Sequence, residues 1–400
     1  MSIFKSSPGG HVDLDRLNTK MAGQRGGLAQ RVSLPLLLSV LALASYGAFV
    51  IWTASGYLAD ASFPRQLLGI GLGAVLAIVL YRIDYRNLSG MATVLLVIDL
   101  IVIFSPYIPG LSYRAKGMTG WIRVPGIGLT FQPVEMAKII TVFFIASLTA
   151  QFNGRIPSLR EYAKLCGMLF IPFGAVVAAG DLGSGLVVFF AGATVIMMGG
   201  PRKEWVLATV AILIGGVALL LALDSVADSV MGRDVLLKQY QMNRLLVFIN
   251  PDADPDTGYN LKQSLIAVGS GGFFGKGIGN ASQAFSGFLP EAHTDFIFAT
   301  LSEEFGFLGA CVLLLLYAVM LLSIIRVAHK AESPFLRLVC AGFVGMWTFQ
   351  IFENIGMCIG LMPITGIPLP FISFGSSSML MSCAVIGIVQ SIWRTRSRAA

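Results

Sequence analysis

The chain has 400 residues, 56% hydrophobic and only 12% charged, with a formal net charge of +7. Soluble domains carry about 25% charged residues, and the mean hydropathy here is +0.78, which excludes an ordinary soluble enzyme. Several continuous apolar runs approach the roughly 20 residues that cross a bilayer as helix. Their backbone amides must be satisfied within each segment, and no period-two alternation points to barrel strands. The expected fold class is all-α, a polytopic integral membrane protein.

In chain order, residues 1–31 read as a polar, mobile cytoplasmic tail. A membrane domain follows over 32–394, then a short cytoplasmic end at 395–400. About ten transmembrane helices are predicted, at 32–53, 65–82, 88–107, 133–151, 163–180, 184–200, 204–223, 295–325, 336–358 and 372–393. Between helices seven and eight lies one large extracellular loop, 224–294, with a short amphipathic stretch from Lys262 to Val268. Its Tyr259, Phe273, Phe274, Phe285 and Phe288 predict that it folds against the membrane. Most of the 28 Lys and Arg fall on the side of the N-terminus, which places both termini in the cytoplasm. The positive charge is then orientation signal and attraction to anionic membrane lipids, not a nucleic-acid footprint. The five cysteines read as reduced core residues.

Ionisable groups inside spans are costly and mark function or paired packing. Glu135 and Lys138 lie three apart on one helix face, as a self-neutralising pair or as the charged wall of a cavity. Asp181 caps helix six or lines the same cavity. Asp99, Glu303, Glu304 and Glu353 read as packing residues, with the three glutamates deeper or towards the inner half. Asp295 stands where a polar loop meets an apolar helix, in the run Leu289-Pro290-Glu291-Ala292-His293-Thr294-Asp295. A carboxylate there can take a proton from a substrate at the lipid boundary. His293 either tunes it or bonds within the loop. Two tempting motifs fail. The run Gly269 to Gly277 lacks the first glycine and the final Ser/Thr of a P-loop. Asp252, Asp254 and Asp256 lack the turn glycine and closing glutamate of a calcium loop.

Four stretches together carry a specific resemblance. They are Trp121-Ile122-Arg123 with Phe131-Gln132-Pro133-Val134-Glu135 and Lys138; Asp181-Leu182-Gly183-Ser184-Gly185; Gly258 through Asp295 to Phe298; and Gly366-Ile367-Pro368-Leu369-Pro370-Phe371 to Gly375. This set resembles the SEDS family (shape, elongation, division, sporulation), whose members include RodA and FtsW. The stretch from Gly366 to Phe371 is more similar to RodA. The chain departs from the family pattern at Gly180, at Thr119 and Gly120, and in Ser373-Phe374-Gly375-Ser376.

The resemblance implies a peptidoglycan glycosyltransferase of the bacterial cytoplasmic membrane, polymerising lipid II with a class B penicillin-binding protein. It implies Asp295 as catalytic base, with Glu135, Lys138, Trp121, Arg123, Arg65, Asp181, His293 and Glu291 around the substrate. The residues assign no cofactor; the cation at the diphosphate is Lys138, Arg123 or Arg65, or alternatively a divalent cation (Mg2+ or Mn2+) shared by carboxylates. A lipid II flippase and a non-catalytic scaffold for the penicillin-binding protein are the alternative functions. Both should tolerate Asp295→Asn better than a transferase does.

Overall fold

The computed structural model describes residues 31–109, 112–115, 118–123, 130–216, 247–248 and 254–396. The tail expected at 1–31 lies outside these residues except for Arg31, as do the final residues 397–400, much of the 224–294 link and Asp252 of the calcium-like run.

The first spans are α1 (Leu34–Ser55), α2 (Phe63–Tyr81) and α3 (Ala92–Phe104). A small antiparallel sheet of β1 (Ser112–Ala115), β2 (Met118–Arg123) and β3 (Thr130–Phe131) comes next. Then follow α4 (Pro133–Ala150), α5 (Leu159–Ala178), α6 (Leu182–Met198) and a helix α7 over 203–216. The last elements are α8 (Pro255–Ser270), α9 (Ser282–Phe285), α10 (Ile297–Lys330), α11 (Pro334–Cys358) and α12 (Ser376–Thr395). Nine predicted spans fall on helices; the remaining one, 204–223, does so as far as residue 216, and 217–223 lie outside the described residues. Among the described residues, seven helices are long and apolar enough to cross a membrane, and α3 and α6 are shorter apolar helices. The chain is a multi-pass membrane protein.

Helix starts follow local chemistry. Proline stands in the first turn of α1, α2, α4 and α11, where its missing N–H costs nothing. Ser158 accepts from Glu161 N at the start of α5, and Ser333 from Leu336 N at the start of α11.

Small residues set the closest packing. Along α2, Gly69, Gly73 and Ala77 face α12: a Cβ on Gly73 would stand 2.7 Å from Cys383 Sγ, and one on Gly387 2.5 Å from Ala77 O. Helices in lipid associate through such close backbone approach. Gly342 of α11 seats against Val142 of α4 and Val195 of α6, the centre of the core. One end of the bundle is basic. There the Arg394 guanidinium lies over Tyr81 and donates to Arg82 O, Lys330 covers Trp393, and Arg86 pairs with Asp84. Hydrogen bonds from Arg86 hold the Asp84 carboxyl below its ordinary range.

At the opposite end the expected long loop is corrected in part: α8 and α9 lie within it. At 34 residues, α10 would run roughly 51 Å as one ideal helix, beyond a hydrocarbon core of about 30 Å. Gly306, at φ +66°, breaks it. In an unbroken helix, Phe307 N and Leu308 N would donate to the carbonyls of Glu303 and Glu304. They donate instead to Gly272 O and Phe273 O, while Glu303 O and Glu304 O accept from Lys276 N and Gly277 N. Non-helical backbone survives at such depth only where protein satisfies it. The P-loop-like run is thus a splint for a broken helix. Its glycines permit the approach: a Cβ on Gly271 or Gly275 would come within about 2 Å of the α10 backbone. Glu303 and Glu304 therefore belong beside the polar segment 270–284, not in the inner half.

Candidate functional site

Asp295 does not open α10. It sits two residues before Ile297, in a half-buried turn that begins at Glu291. Glu291 adopts φ +55°, its carbonyl accepts from Thr294 N and Phe296 N, and its carboxylate accepts from Thr294 Oγ1 at 2.6 Å. Glu291 thus shapes the turn.

The segment 365–375 grips this turn. Phe374 N donates to His293 O at 2.9 Å, and Ser373 Oγ donates to Thr294 O at 2.7 Å. The His293 ring lies 5.5 Å from that of Phe374. Gly366, at φ +75°, faces the aspartate so closely that a Cβ would stand 3.1 Å from Asp295 Oδ2. From α11, Asn354 Nδ2 donates to Asp295 O, and Glu353 accepts from Thr365 Oγ1. Both are fully buried and lie at the Asp295 end of α11, so Glu353 is not an inner-half residue either.

The same segment reaches the second cluster. Gly183 packs on Thr365 and Ile367, where a Cβ would meet Thr365 O at 3.2 Å. Asp181 caps α6, accepting from Ser184 N at 2.9 Å, and its other oxygen accepts from Gln132 Nε2 at 3.3 Å. The cap is what the contacts show; Asp181, Gln132 and Trp121 also line a small crevice with Tyr107, whose walls include neither Glu135, Lys138 nor Asp295. Strand pairing places Trp121 opposite Tyr113, and Gln132 N donates to Ser377 Oγ. Gln132 leads directly into α4, whose Glu135 and Lys138 form a buried ion pair at 2.7 Å. Lys138 Nζ is enclosed and makes no other polar contact, so its ammonium has donors to spare.

Two expected residues stand apart from these contacts. Arg123 is exposed on β2 over the Tyr113 ring, and Arg65 is exposed at the start of α2. Arg65's neighbour Gln66 is the buried one, reaching Ser373 O at 3.5 Å. Among the described residues no group of three or more His, Cys, Asp or Glu is arranged to hold a metal ion; a magnesium ion needs only one or two carboxylates beside substrate phosphates. Asn354, Thr365 and Gln132 were missed as site residues. They are neutral: Asn354 and Thr365 gain meaning from the three-dimensional course of segment 365–375, and Gln132 from its contacts with Asp181 and Ser377.

Residues 34–398 match the family described as cell cycle protein, FtsW/RodA/SpoVE. The chain is 35% identical to peptidoglycan glycosyltransferase MrdB of Escherichia coli K12, over 89% of this chain and 92% of that one. It is 33% identical to a probable peptidoglycan glycosyltransferase FtsW of Geobacter metallireducens, over 91% and 95%. Among solved structures it resembles a chain of a peptidoglycan synthase complex that coordinates polymerization and crosslinking. There the TM-score is 0.69 at 29% identity, over 90% of this chain and 97% of that one. It also resembles rod shape determining protein RodA of Thermus thermophilus, with TM-score 0.63 at 26% identity over 90% and 96%. Relatives named FtsW and MrdB match at the same level, so the resemblance of Gly366–Phe371 to RodA does not resolve the subtype. The chain belongs to the FtsW/RodA/SpoVE family.

Proposed function

We propose that the protein is a peptidoglycan glycosyltransferase that polymerises lipid II, with Asp295 as general base. The end bearing Asp295 faces the outside of the bacterial cytoplasmic membrane, and the basic end faces the cytoplasm. Asp295 takes the proton of the acceptor's GlcNAc 4-hydroxyl. That oxygen forms a bond to the anomeric carbon of the growing chain's terminal MurNAc, with inversion. The bond from this carbon to undecaprenyl diphosphate breaks, and the diphosphate leaves with the electron pair. A positioned base and a cation for the leaving group are what such a transfer needs.

The observation that carries this reading is the half-buried Asp295 turn, held by three hydrogen bonds from α11 and segment 365–375 at the end of the bundle where a lipid-linked sugar would sit. Lys138, enclosed beside Glu135 in this structure, serves as the cation for the diphosphate once substrate binding uncovers its unused donors. Trp121 offers an aromatic face beside Asp181. Arg123 and Arg65, both exposed, meet the head group from outside.

The partner is a class B penicillin-binding protein, supported by the likeness to a synthase complex. Its surface is α10, where Phe307, Val312, Leu315 and Leu322 are exposed. Most of α11 is buried and contributes little to that face. Quantifying glycan strands made from lipid II by the purified protein with its partner tests the reading, with Asp295→Asn as the comparison.

A further inference from the structure

Asn354 is the residue through which α11 meets both halves of the site. It is fully buried in the last turns of that helix. Its Nδ2 donates to Asp295 O at 2.8 Å and to Ile367 O at 2.8 Å. An amide nitrogen has two hydrogens, and both are spent here on two carbonyls from segments that are far apart in sequence. Two carbonyl acceptors also fix which way the amide faces, since the oxygen could accept nothing from either. Asn354 Oδ1 has no hydrogen-bond partner, so the side chain works in this fold as a donor alone.

These two carbonyls flank the closest approach at the site. Ile367 follows Gly366, whose Cα faces the Asp295 carboxylate, and Asp295 is the other residue held. We infer that Asn354 is a positioning residue for the transfer. It fixes the spacing between the Asp295 turn and the 365–367 turn, and so the direction in which the carboxylate points. No contact with substrate is assigned to it. The inference rests on the proposal that Asp295 is the base.

Neighbouring links allow this role to be isolated. Ser373 and Phe374 already tie the Asp295 turn to the far end of the same segment. Loss of Asn354 therefore loosens the turn without releasing it. The side chain is enclosed, and a leucine keeps its γ-branched frame of heavy atoms while removing both donors. An aspartate keeps the shape but sets oxygen against the two carbonyls, close to the carboxylates of Asp295 and Glu353.

The test uses the full chain with its partner protein and lipid II as substrate, comparing wild type, Asn354→Leu and Asp295→Asn. Two quantities are read: kcat and KM for polymerisation, and backbone hydrogen exchange across 291–298 and 363–372. Asn354→Leu should lower kcat about a hundred-fold, the scale of an ångström-level misplacement, with KM within about two-fold. Exchange should quicken in both segments and stay unchanged across α4.

Unchanged exchange in the two segments would overturn the positioning role whatever happens to activity. Faster exchange with kcat intact would overturn its part in the reaction. Asp295→Asn then separates the two readings: if it abolishes polymerisation, the base stands and only Asn354 fails; if it does not, the base itself has failed. Should Asn354→Leu not accumulate, Asn354→Thr, which keeps one donor, replaces it. An intermediate loss of kcat with faster exchange in one segment supports the inference, and wild-type values for both overturn it.

Discussion

Lys276 Nζ stands 2.6 Å from Glu303 Oε1, and this contact joins the glycine-rich segment to the broken helix α10. Glu303 is fully buried and also accepts from Ser282 Oγ and from the backbone N–H groups of Gln283 and Ala284. One carboxylate thus gathers Lys276 and the start of α9 against α10.

Removing one partner of a buried pair leaves an uncompensated charge, at a cost of about 3–5 kcal/mol. Lys276 is partly exposed, so Lys276→Met should fall at or below the low end of that range. Thermal unfolding in detergent checks this. Adding Glu303→Gln should recover part of the loss, because the coupling between contacting residues is not additive.

Gly366 is required for two reasons that a single substitution tests together. Its φ of +75° disfavours any side chain, and a Cβ would press on Asp295 Oδ2. Gly366→Ala should cost about 1–2 kcal/mol for the left-handed backbone. It should also reduce kcat at least ten-fold with KM little changed, by displacing the carboxylate. Steady-state polymerisation kinetics read both values.

Glu135 and Lys138 distinguish a structural pair from a functional one. Lys138→Met alone should destabilise by about 3–5 kcal/mol, since it strands a buried carboxylate. The double variant with Glu135→Gln should regain much of that stability. It should not regain polymerisation, because the cation proposed for the diphosphate is still missing. Recovery of both would reduce the pair to packing.

The α2–α12 seam is a further check on the fold. Gly73→Ala should destabilise by about 1–3 kcal/mol through overpacking against Cys383 Sγ and Cβ. Cys383→Ala in the same chain should relieve the part due to the sulfur, as measured by thermal unfolding.

The spans were legible because lipid imposes long apolar runs, and proline or serine marks their starts; Pro133 and Ser333 fall where the helices begin. The small sheet carrying Trp121 was not legible, since four- and six-residue strands lack a lasting period. Asp295, Asp181 and the Glu135–Lys138 pair stood out as charges in an apolar sequence. The break at Gly306 did not, because glycine in a membrane helix is common and its partner run begins more than 30 residues earlier. Asn354 and Thr365 were silent for the same reason: their partners are backbone and side-chain atoms brought together only by tertiary folding.

The most direct test of the central claim is lipid II polymerisation by the purified protein with its class B partner, wild type against Asp295→Asn. Glycan strands are expected from wild type and none from a mutant that retains wild-type thermal unfolding. Equal polymerisation by both would contradict Asp295 as the base. No polymer from either, with lipid II still moved across liposome bilayers, would contradict the transferase itself and favour a transporter.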